Sequence, residues 1–130
     1  MTRLCDLETI EMADDVRQQP QSALGAWYSS IRERDIKDLG DDDLCRVCRQ
    51  GLFHEVIVPI TLARLAEDPL AGDMYEGEML ASLVDVPRKY WTVSEESRRT
   101  LRQVLASLRG QLPSDMAADL AKLQALIAQP

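Results

Sequence analysis

Cys45-Arg46-Val47-Cys48 has the C-x-x-C spacing. On a helix, positions three apart share a face, so two thiolates there could act together on a metal or form a redox pair. A zinc site takes four ligands, usually from two such pairs. Only Cys5 and His54 remain to complete the set, and they form no second pair. A thioredoxin-like dithiol needs a strand–helix–strand setting, which this stretch lacks. The two cysteines are therefore expected to be small core-facing residues on a short helix. His54 is the one histidine, and Glu55 follows it. A general base needs a nucleophile to serve, and the chain has no G-x-S-x-G, H-E-x-x-H or E-x-x-H. His54 is expected to cap a helix or sit half-buried. Neither the run Asp41–Asp43 nor the stretch Gly72–Glu78 has the alternating ligands of a calcium loop, and the scattered glycines build no phosphate loop. No metal, cofactor or catalytic residue is expected; the chain reads as a binding protein, not an enzyme.

Surface charge carries the stronger signal. The formal net charge is −7. That balance argues against nucleic acid or an anionic membrane as the partner, since both need basic footprints. The charge is also uneven: residues 1–96 hold 20 acids against 10 bases, and residues 97–130 hold 2 against 5. One acidic face meeting a basic protein fits this asymmetry. The candidate contacts are Asp35, Asp38, Asp41, Asp42, Asp43, Glu67, Asp68, Asp73, Glu76 and Glu78, with Tyr75 interleaved as an aromatic anchor. The first residues contain no apolar signal-peptide run, and Val56–Ala63 is too short to span a bilayer. With three cysteines and no export signal, the thiols are expected to be reduced and the protein cytoplasmic.

The elements that must position these residues are helical. Aromatics are scarce at one Phe, two Trp and three Tyr. The core must then come from Leu, Ile, Val, Ala and Met, which favours helices packed on helices. Leu24, Trp27, Tyr28 and Ile31 mark one helix, with Ser22 as its N-cap. Asp43 to Gln50 is a short helix closed by Gly51. Phe53 to Glu67 is the most apolar segment and the expected central buried helix. Pro59 either sits in its first turn, the preferred placement, or kinks it. A further helix is expected from Asp73 to Asp85, stopped by Pro87. Another follows Ser94 and is closed by Gly110 and Pro113, and a last one is capped by Ser114. Leu4, Leu7 and Ile10 add a turn or two. The expected fold is all-α, a single-domain bundle over residues 1–130 with six or seven helices and no strand.

Two strings then carry a resemblance. Gly51, Leu52, Val58, Pro59, Ile60, Leu62 and Leu65 match "G-L-x-x-L-I-P-L-A-L" and the start of "L-x-x-N-P-L". Pro69, Leu70, Gly72, Asp73, Tyr75, Gly77, Glu78, Met79 and Leu80 match the rest of that motif and "G-D-x-Y-x-G-D-L-L". Asp43, Leu44 and Gln50 add a weaker upstream match. Over about residues 22–108 the chain resembles the immunity proteins of bacterial contact-dependent growth inhibition. Asp68 stands where the family has Asn, and Glu78 where it has Asp. The resemblance implies a cytoplasmic, non-enzymatic bacterial protein. Such a protein binds the cognate toxin domain, often a nuclease, at the C-terminus of a large exported neighbour. Motif residues shared across different toxins should mostly shape the fold: Gly72, Gly77, Pro59 and Pro69 as scaffold, Asp73 as an N-cap, Tyr75 against Leu70. The off-pattern acids Asp35, Asp38, Asp41, Asp42, Glu67 and Asp68 are then the better candidates for toxin contact. The competing expectation is a small helical adaptor or regulatory subunit for another basic protein. Oligomeric state is left open by the sequence.

Overall fold

The computed structural model describes residues 2–8, 23–72, 75, 77–108 and 116–128. Among them eight α-helices follow in order: α1 Leu4–Leu7, α2 Ala23–Ile31, α3 Asp41–Arg49, α4 His54–Glu67, α5 Glu78–Ser82, α6 Arg88–Val93, α7 Glu95–Ser107 and α8 Ala117–Ile127. Short 3-10 turns occupy Ile36–Asp38 and Leu83–Asp85. Among the described residues, extended pairing is limited to one isolated bridge between Arg3 and Asp35. The fold is all-α, as expected. The helix not anticipated is α6, which begins directly after Pro87 because proline serves well just outside a first turn.

Helix α4 runs through the middle. Ile57, Val58, Thr61, Leu62 and Leu65 are buried at helical spacing, and Val56 and Ile60 pack half-buried against the same core. It lies against α7 most extensively and against α3 on another side. Thr61 bonds back to the Ile57 carbonyl at 3.0 Å, so its buried hydroxyl is satisfied within the helix. Pro59 is inside α4, not in its first turn. It has no N–H to offer the Glu55 carbonyl one turn back. Both residues face outward, where water can take that carbonyl, so the helix continues through the proline.

Helix α3 starts two residues earlier than the sequence suggests, at Asp41 after Gly40. All three aspartates therefore sit in its first turn, where the helix dipole favours negative charge. Gly51 ends it with φ +71, the left-handed conformation that costs glycine least. Phe53, also left-handed at φ 53, then turns the chain into α4. Its carbonyl accepts from Val56 and Ile57 at 3.0 and 2.9 Å.

The stretch before α5 corrects a second expectation. The helix begins at Glu78, not Asp73, and its N-cap is Gly77 at φ +84. The preceding loop folds back on itself instead: the Gly77 N–H donates to the Leu70 carbonyl at 2.8 Å, and the Met79 N–H to Ala71 at 3.1 Å. Gly72 is where the two arms meet, since a Cβ there would fall 2.8 Å from the Glu78 Cβ. The glycines thus shape the loop, as the resemblance implied. Ser22, Asp73, Gly110, Pro113 and Ser114 lie outside the described residues. Helix α8 has Met116 as its N-cap. Ser94 is the N-cap residue of α7, but its side chain makes no capping bond.

Elsewhere the packing closes with few polar exceptions. Trp91 is fully buried and meets Tyr90 edge-on at 5.3 Å, while the Tyr90 hydroxyl pairs with Ser97 at 2.9 Å. At the other end, Tyr28 donates to Glu8 at 2.6 Å and Arg32 pairs with the same carboxylate, pinning α1 beside α2. The buried apolar residues form one cluster from Leu4 to Ile127.

Candidate functional site

The helical period of α3 sorts its nine residues. Leu44, Cys45, Val47 and Cys48 turn inward; Asp42, Arg46 and Arg49 turn outward or to the edge. Cys45 and Cys48 are core residues, as expected. Burial, with the nearby Glu78 charge adding to it, pushes the Cys45 thiol up to about 12, and burial raises Cys48 as well. Cys48 Sγ rests 3.6 Å from Thr61 Oγ1. Buried, protonated thiols are poor nucleophiles and poor metal ligands. His54 Nε2 lies 3.2 Å from the Cys48 carbonyl, so the half-buried histidine occupies the end of α3. Among the described residues, no group of three or more His, Cys, Asp or Glu is placed to hold a metal ion. No described helix is long and apolar enough to cross a membrane.

The eleven residues picked out from the sequence fall into four groups. Two acids are turned into the fold. Asp43 is 8% exposed, accepts from Trp27 Nε1 at 3.0 Å and sits 3.7 Å from Arg34. Glu78 is 4% exposed and pairs with Arg49 at 3.1 Å. Their carboxylates have internal work to do, and they are poorly placed to meet a partner directly. Asp73 and Glu76 lie outside the described residues. Tyr75 is half-exposed.

The remaining six acids gather at one end of the molecule. Asp35 caps the 3-10 turn through the Lys37 N–H at 3.1 Å, Asp38 is exposed in that turn, and Asp41 and Asp42 open α3. Glu67 and Asp68 end α4, and Asp68 accepts from the Leu70 N–H at 3.2 Å. Arg64, one turn before them, joins the two segments. Its guanidinium bonds Asp41 at 3.2 Å and the Lys37 carbonyl at 3.2 Å. The end of α4 is thereby held beside the turn before α3. Asp38, Asp42, Glu67 and Asp68 face solvent there, with Lys37 the exposed base among them.

Beside this end lies a groove that the sequence did not announce. Trp27 of α2, Asp42, Arg46 and Arg49 of α3 and Glu78 of α5 surround a cavity of about 450 Å³. The Arg46 guanidinium lies 4.5 Å above the Trp27 ring centroid, a cation–π stack. Asp42, Arg46 and Arg49 stand at i, i+4 and i+7, a spacing legible in the sequence. What could not be read was that the tryptophan of α2, 19 residues upstream of Arg46, would lie against it. The described arrangement displays charge at a surface.

No curated protein matches the chain. The family model for CDI immunity proteins matches residues 9–101. That is more than two thirds of the chain, reaches further toward the N-terminus than the motifs did, and contains α2 to α6, the acidic end and the groove. With a helical fold, a charged surface and a family match over most of its length, the chain belongs to the CDI immunity proteins.

Proposed function

We propose that this protein binds the toxin domain at the C-terminus of its cognate contact-dependent growth inhibition protein, in the cytoplasm of the producing cell. Its acidic end covers a basic cleft of that toxin, which is a nuclease. The observation that supports this most is the gathering of carboxylates from two remote segments, residues 35–42 and 67–68, around Arg64. A face assembled in this way differs from acids spread evenly for solubility. A nuclease must present cationic groups to phosphates, and carboxylates can occupy the same places. Long-range attraction between the two surfaces speeds encounter, and a desolvated centre supplies most of the affinity. An ordinary interface buries about 1,600 Å² in total, and nanomolar affinity corresponds to roughly −12 kcal/mol.

The test is calorimetric titration of the full chain against the C-terminal domain encoded immediately upstream, at two salt concentrations. One-to-one binding that weakens as salt rises is the expected result. Tight binding indifferent to salt would keep the partner and remove the acidic end from the mechanism. No binding at micromolar concentrations would overturn the proposal.

A further inference from the structure

We infer that the groove beside Trp27 receives one acidic side chain, Asp or Glu, of the protein partner, gripped by the Arg46 guanidinium. The inference rests on the proposal above that the partner is a toxin domain, and it adds a contact of opposite sign to the acidic end.

The argument starts from how each charge in the groove is used. Arg49 is paired with Glu78 at 3.1 Å. Asp43 holds the Trp27 indole N–H at 3.0 Å and has Arg34 at 3.7 Å. Those two carboxylates are already engaged by groups of this chain. Arg46 differs. Its one described interaction is the Trp27 ring, and among the described residues no carboxylate lies within 4.0 Å of it. Trp27 is itself held by its bond to Asp43, so its ring gives Arg46 a defined seat. The planar guanidinium fork suits two parallel bonds to a carboxylate. Seating the side chain on a ring lowers the conformational entropy lost when those bonds form.

The surrounding acids limit the approach of any anion. Asp42, Asp43 and Glu78 all border the cavity, so an entering carboxylate is favoured only in direct contact with the Arg46 guanidinium.

The physical consequence is register. An acidic end facing a basic cleft tolerates small slides, because like contacts replace one another. A single inverted pair set beside that end does not, so it fixes orientation and discriminates among basic surfaces. Trp and Arg are also the residue types on which interface energy concentrates.

The experiment uses the full chain and the toxin domain encoded upstream, with calorimetry for affinity and stopped flow for rates. Arg46→Ala should weaken binding by about 30-fold or more, mainly through faster dissociation, with an unchanged thermal melt. Arg46→Lys, which keeps the charge and loses the fork, should recover only a small part of that loss. Arg46→Ala binding within about threefold of wild type, or full recovery by Arg46→Lys, overturns the inference while leaving the proposed function intact. Failure of the wild-type chain to bind overturns both. Saturable quenching of Trp27 fluorescence by millimolar inorganic phosphate, abolished in Arg46→Ala, would replace the carboxylate pocket by a general anion site.

Discussion

The acidic end around Arg64 and the groove beside Trp27 are made of the same residue types and treat charge in opposite ways. At the end, Asp38, Asp42, Glu67 and Asp68 face water, and Arg64 serves to bring two segments together. In the groove, Asp43 and Glu78 are buried, each with a donor from this chain, and the half-buried cation Arg46 is held by a ring. Asp42 and Asp43 are adjacent in sequence and fall on the two sides of this division, because successive helix residues point about 100° apart. A carboxylate in water is cheap to keep and available to a partner; a buried one must be paired and then acts on stability and on the shape of its neighbours. Acidic residues counted from the sequence therefore overstate the surface that can meet a toxin.

Several substitutions can break or sharpen this contrast. The reference point is the apolar core that both regions rest on: Leu62→Ala should lower stability by about 2–5 kcal/mol in urea unfolding. A change near zero would show Leu62 exposed and α4 misplaced. Asp43→Ala should cost about 1–3 kcal/mol, because the Trp27 indole N–H loses its acceptor. Unchanged stability would move Asp43 into the displayed group.

The buried thiols make the interior sensitive to base. The folded Cys45 thiol titrates near 12 and an ordinary thiol near 9.0, so above pH 9 the unfolded chain gives up a proton that the folded chain retains. Stability is then full below pH 9 and falls as pH rises toward 12, by at most about 1.4 kcal/mol per pH unit for this group. Cys48 and Tyr28, both raised by burial, act in the same direction. Cys45→Ala should flatten the slope of stability against pH between 9 and 11; an unchanged slope would show that the thiol ionises in the folded protein. The smallest effect on folding belongs to the displayed acids. Asp38, Asp42 and Glu67 changed together to Asn, Asn and Gln should alter stability by about 0.5 kcal/mol or less. The same triple variant should slow association with the toxin domain about tenfold at low salt. An unchanged on-rate would take the acidic end out of the encounter.

The outline of this protein was written in local patterns. The apolar spacing of Ile57, Val58, Leu62 and Leu65 specifies a buried helix wherever it is placed. Gly51 and Gly77 mark turns because only their backbone accepts φ of +71 and +84 cheaply. The inward place of Cys45 and Cys48 follows from the period of α3, and the acidic bias toward residues 1–96 follows from counting. The start of α5 was not legible, because Asp73 is a good cap by type and nothing nearby in sequence shows the Leu70 carbonyl returning to the Gly77 N–H. Pro59 inside α4 depended on whether its orphaned carbonyl would face water, which burial alone decides. The division between Asp42 and Asp43, the link through Arg64 and the stack of Arg46 on Trp27 were decided by tertiary structure. Each joins segments 16 or more residues apart, and a periodic pattern carries information about one face of one element, not about which other element will come to cover it.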